Sequence, residues 1–112
     1  MDGSDPGDPD ELVRFFVSHR DGHVEVVVRG DLDLGSALAL EGRLARLIAT
    51  RAGDVSVDMA DLAFLGSTGV RVLADAHRRL EEDGRRLVLR NVCGAPRRTL
   101  ELVGLIGVLH LA

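Results

Sequence analysis

Apolar residues in this chain change their spacing repeatedly along its length, from every second position to every third or fourth, and that alternation leaves few folds open. Val13, Phe15 and Val17 alternate with Arg14, Phe16 and Ser18, and after a turn at 20–22 the run 23–29 reads as a second strand, the two forming a hairpin. The period then lengthens. Ala37, Leu40, Leu44, Leu47 and Ile48 share one face of a helix that begins between Asp33 and Ser36 and ends at Gly53. Residues 55–59 are short and β-branched, a third strand. Val70, Leu73, Ala74, His77 and Leu80 make the inner stripe of a second helix running from Ser67 to about Asp83, where Gly84 stops it. Residues 86–90 form a fourth strand, Pro96 opens a short third helix containing Leu100, Leu102 and Val103, and 106–111 give a last strand.

Strands separated by helices join through right-handed crossovers, so the last four strands are expected to lie parallel. The fold class is therefore α/β: a single domain with a mainly parallel four- to five-stranded sheet, an antiparallel edge strand, and helices packed against it. In such a sheet the loops at the carboxyl ends of the strands gather on one edge, which makes neighbours of segments 30–33, 59–68 and 91–94. That edge is the place to look for recognition.

The chain has 112 residues and a formal charge of −4, enough for one domain over 11–112 preceded by an acidic, Pro- and Gly-containing lead-in at 1–10 expected to be disordered. Net acidity argues against a nucleic-acid partner. One cysteine, no leader-like segment and no apolar run of about 18 residues point to a cytoplasmic protein that does not insert in a membrane. Lysine is absent, which removes Schiff-base and P-loop chemistry, and nothing in the sequence calls for a cofactor.

Ser67 carries the most chemistry. It stands where a strand-and-loop pattern becomes a helix, so its hydroxyl suits an ordinary N-cap, and the positive end of the helix dipole there also suits an added phosphate. Asp33 fits as cap of the first helix or as a contact for a partner. A hydrolase reading of Ser67 fares poorly: Leu65-Gly-Ser-Thr-Gly69 lacks the first glycine of Gly-x-Ser-x-Gly, and His77 lies ten residues along the same helix, roughly 15 Å away. His19, His23, His77 and His110 show no metal-ligand spacing. Cys93 reads as inert, and Arg97 and Arg98 read as a solvated helix face.

Three segments, in order, resemble one family. Gly30-Asp-Leu-Asp33 is similar to its Gly-Glu-Leu-Asp turn, residues 58–69 to its serine motif, and residues 91–105 to its loop and helix ending in Leu-Glu-Leu-Thr-Gly-Leu. The family is the STAS domain (sulfate transporter and anti-sigma factor antagonist), and its bacterial anti-sigma factor antagonists carry a phosphorylatable serine in an Asp-Ser-Ser/Thr-Gly context. Gly66 departs from that pattern, standing where the family has an acid. Glycine at a strand-to-helix turn also admits φ above zero.

The resemblance implies a switch protein with no catalytic activity. The unphosphorylated antagonist binds an anti-sigma factor, a serine kinase of the histidine-kinase-like ATPase type, and frees a sigma factor for transcription. Phosphorylation ends the interaction and a serine phosphatase restores it. Carried onto this chain, Ser67 is the acceptor with Thr68 as fallback, and Asp31, Asp33, Asp61, Gly66, Ser67, Thr68, Gly69 and Asn91 form the partner surface. The family also includes small subunits of lipid-transport ABC systems and modules of sensory assemblies, so a constitutive binder remains a second reading.

Overall fold

A reciprocal capping box opens the first helix and fixes where the second strand hands over to it. Asp33 adopts an extended conformation, its carboxylate accepts from the Ser36 backbone N–H, and the Ser36 hydroxyl oxygen accepts from the Asp33 N–H. This is seen in a computed structural model that describes residues 14–50 and 53–112. The proposed lead-in at 1–10, and Val13 of the first strand, lie outside the described residues.

The elements run β1 (Arg14–Arg20), β2 (His23–Leu32), α1 (Leu34–Ala49), β3 (Asp54–Asp58), β4 (Leu62–Leu65), α2 (Ser67–Glu82), β5 (Leu87–Arg90), α3 (Gly94–Leu102) and β6 (His110–Leu111). β1 and β2 form the expected antiparallel hairpin. The main sheet has the order β1-β2-β3-β5-β6, with every pairing after the hairpin parallel. Ala37, Leu40, Leu44 and Ile48 of α1 and Leu73 and Leu80 of α2 close over Val26, Val28, Val55, Val57, Leu87 and Leu89 of the sheet. Burying each such leucine contributes about 1.5–3 kcal/mol. The inferred α/β architecture stands.

Four details differ from expectation. Residues 62–65, read as loop, form β4, which pairs in parallel with Gly30–Leu32 at the end of β2, with a register shift between Gly30 and Asp31. Its Leu-Ala-Phe-Leu run is buried at both ends and exposed in the middle, so it carries no alternation to read. The last strand shrinks from 106–111 to two residues, because the chain turns again at Leu105, whose carbonyl accepts from the N–H groups of Val108 and Leu109.

Third, the buried stripe of α2 is Gly69, Val72, Leu73, Ala76 and Leu80, rotated from the expected face. Val70, Ala74 and His77 are half-buried along its flank. Fourth, Leu102 and Val103 at the end of α3 are exposed, and only Pro96 and Leu100 of that helix are buried. Gly84 does end α2 as expected. With φ at 73° it lets its own N–H and that of Arg85 reach the Glu81 and Leu80 carbonyls, a Schellman closure.

Candidate functional site

β2, β3 and β5 deliver their carboxyl ends to one edge, and short bonds tie the three loops there together. The Asp58 carboxylate, at the end of β3, accepts from the Ala60 N–H at 3.0 Å and from Asn91 Nδ2 at 3.0 Å. Asn91 has φ of 57°, a left-handed conformation that asparagine tolerates better than most residues. The Met59 N–H bonds the Arg90 carbonyl at 2.9 Å, and the Gly30 N–H bonds the Asp61 carbonyl at 3.1 Å. Segments 30–33, 59–68 and 91–94 are therefore neighbours, as the topology required.

Asp58 is the organising residue that sequence reasoning passed over, although it opens the serine motif. Its carboxyl lies below its ordinary value of 3.8, first because of the Asn91 hydrogen bond, then the Ala60 N–H and the charges of Arg90 and Arg29. Asp33 is lowered as well, chiefly by the backbone and side chain of Ser36. A depressed carboxyl stabilises the fold fully above its unfolded pKa, and that contribution disappears as pH falls through the folded value. The melting temperature should therefore drop on acidification below about pH 4, and Asp58→Asn should flatten part of that slope in a pH series of thermal melts.

Ser67 is exposed and is the first residue of α2. It is not the cap. That position belongs to Gly66, with φ −84° and ψ 176°, and no side chain caps the helix. Gly66 is therefore not a glycine for the sake of a positive φ. Its backbone N–H bonds the Leu32 carbonyl at 2.9 Å, and an added Cβ would lie 3.2 Å from the Phe64 ring and 3.3 Å from the Leu32 oxygen. The Ser67 hydroxyl stands in solvent beside the unpaired N–H groups of the first helical turn, at the positive end of the dipole.

The other expected surface residues divide. Asp33 and Asn91 are exposed, Asp31, Gly66 and Thr68 are half-buried, and Asp61 is exposed but paired with Arg29 at 3.4 Å, so the acidic patch is partly neutralised. Gly69 is buried in the first turn of α2. An added Cβ there would come within 2.7 Å of Leu65 Cδ1 and 3.3 Å of Leu32 Cβ, so its role is to let α2 sit close on β2 and β4. Exposed apolar side chains were not foreseen: Leu34 (65%), Leu38 (47%) and Phe64 (49%) flank the helix starts. The signal was present, since Leu34 and Leu38 fall off the α1 stripe.

Among the described residues, no hydrogen bond joins Ser67 to a histidine. His77 turns instead toward Glu81 and His110, near the far end of α2, a grouping that the linear spacing of the histidines did not announce.

Comparison with known proteins agrees with this architecture. The anti-sigma-B factor antagonist of Bacillus subtilis (strain 168) is 24% identical over 100 residues, covering 89% of this chain and 91% of the relative. An anti-sigma factor antagonist from Mycobacterium paratuberculosis has a similar crystal structure, with TM-score 0.82 and 28% identity over 95% of this chain and 89% of the other. The Bacillus cell fate determinant SpoIIAA in its phosphorylated form shares the fold, with TM-score 0.71 and 22% identity over 88% of this chain and 91% of that one. The STAS domain family model matches residues 15–112. With the serine motif at the start of α2 and the match spanning all but the first residues, the chain belongs to the STAS domain family.

Proposed function

We propose that this chain is a cytoplasmic anti-sigma factor antagonist, a binding protein without catalytic activity that docks an anti-sigma factor through the edge around Ser67 and so frees a sigma factor. The observation that carries the reading is the exposed Ser67 hydroxyl at the first residue of α2, in a chain whose relatives are named as such antagonists. The partner is a serine kinase of the histidine-kinase-like ATPase type, and a serine phosphatase reverses its action. Phosphorylation of Ser67, with Thr68 as the fallback acceptor, adds about 1.5–2 negative charges at a helix start, where the backbone N–H groups tolerate them. Phe64, Leu34 and Leu38 supply the apolar part of the interface, and Asp31, Asp33, Asp61, Gly66 and Asn91 its polar part.

The test is intact-mass measurement after incubation with the cognate anti-sigma factor and ATP. One added phosphate, lost in Ser67→Ala, supports the switch. Gly66 favours a second reading, a constitutive binding subunit of a lipid-transport or sensory assembly, because it leaves no acid beside the serine. Gly66→Asp separates the two. The exposed Phe64 ring can give way to the new side chain but the Leu32 backbone oxygen at 3.3 Å yields less, and an aspartate cap regains only a few tenths of a kcal/mol, so the melting temperature should fall modestly with the fold retained. Phosphate incorporation should accelerate. No incorporation in either protein would leave the constitutive binder.

A further inference from the structure

We propose that His77, Glu81 and His110 form a binding site for a divalent transition-metal ion of the zinc class. His77 and Glu81 are four residues apart on α2, which places them one above the other on the same helical face. His110 joins them from β6, the edge strand paired with β5. One nitrogen of each imidazole and one Glu81 oxygen all lie within 4.8 Å of one another. His110 Nε2 and Glu81 Oε2 are 2.7 Å apart, and the two imidazole centroids are 5.4 Å apart with their planes at 60°. His77 Nδ1 is buried with no hydrogen-bond partner among the described residues, so that nitrogen is left without a protein partner.

Two imidazoles and a carboxylate are a donor set for zinc, cobalt or nickel, whereas calcium and magnesium take oxygen ligands. At metal–ligand distances of about 2.0–2.2 Å, ligand atoms around a tetrahedral ion stand about 3.3 Å apart. Small rotations of Glu81, which is exposed, and of His110, which is half-buried, bring the present cluster to that geometry, and water takes the fourth position. Metal binding replaces the present His110–Glu81 hydrogen bond, and the proton held between the two groups leaves to solvent. Arg86 lies close enough to act on Glu81 and opposes the cation to some degree. An ion held here clamps the two-residue β6 to the last turns of α2. It sits about 15 Å along the helix from Ser67 and takes no part in the serine surface.

The full chain, freed of any affinity tag, is titrated with Zn2+ by calorimetry and with Co2+ by visible absorption at about pH 7.5, since protons compete with metal for the ligands at lower pH. The expected result is one ion per chain, a tetrahedral Co2+ spectrum without a thiolate band, and a melting temperature roughly 11–22 °C higher at a hundredfold excess of Zn2+ over its Kd. His77→Gln, His110→Gln and Glu81→Gln should each weaken Zn2+ binding at least about tenfold. His23→Gln and Cys93→Ser should leave it unchanged. Circular dichroism confirms folding of each variant, and Glu81→Gln, being at the surface, keeps the test open if a histidine variant misfolds. Absence of binding, binding indifferent to all three ligand variants, or binding lost in Cys93→Ser would overturn the assignment.

Discussion

Ser67→Asp is expected to weaken the complex with the cognate anti-sigma factor by about 100-fold, or about 2.7 kcal/mol. The substitution puts a fixed negative charge on a surface that already carries Asp31, Asp33 and Asp61, of which, among the described residues, Asp61 is paired with a cation, Arg29. A partner that tolerated a neutral hydroxyl must then desolvate an extra charge, which costs several kcal/mol unless a new cation meets it. Ser67→Ala removes no charge and should bind within about threefold of the wild type. The fold gives this experiment a clean control. Because Gly66 and not Ser67 caps α2, neither substitution removes a capping bond, and an acid in the first turn agrees with the helix dipole. Melting temperatures should therefore stay level while affinities part. Equal calorimetric affinity for wild type and Ser67→Asp would reject the electrostatic switch.

Gly69→Val should be the most destabilising change near the site, by about 3 kcal/mol and so roughly 12–24 °C in melting temperature. Even a single Cβ meets Leu65 Cδ1 at 2.7 Å and Leu32 Cβ at 3.3 Å, and both leucines are almost wholly buried with little room to retreat. Gly69→Ala is milder, since its gain in helix propensity of about 1 kcal/mol offsets part of the overlap. The valine variant lifts the first turn of α2 from β2 and β4, so it should also lose partner affinity although residue 69 is itself buried. Thermal melts and calorimetry on the two variants check both statements. A valine variant as stable as wild type would show that α2 does not rest on this contact.

What the sequence made legible was local and periodic. The α1 stripe and the Asp33 cap follow from residues a few positions apart, and each is found where the pattern put it, with Leu47 half-buried at the stripe's edge. The rotation of α2 was not legible, because a buried Gly69 contributes nothing to a hydrophobic pattern yet decides which face approaches the sheet. β4 was hidden because four residues buried only at their ends have no period. Ser67 stood out, but its exact station did not, since a glycine makes no side-chain cap and the serine beside it looks like one. The His77–Glu81 spacing was visible on a helix. Its third member, His110, reaches the pair only through the last crossover, which no local pattern encodes.

β2 has ten residues and, besides β1, two parallel partners in succession: its first half pairs with β3, and Gly30–Leu32 pairs with Leu62–Leu65 in a short ladder that itself shifts register between Gly30 and Asp31. The molecule is thus seamed. The ladder beneath the serine motif is a short graft on a longer trunk, anchored by three strand residues and the Leu32–Gly66 bond. Protection of backbone amides against deuterium exchange should follow that seam, with the graft opening at a lower free energy than the β2–β3–β5 trunk. A partner gripping the edge around Ser67 would then slow exchange in the graft first, and the distant strands would report the binding little or not at all.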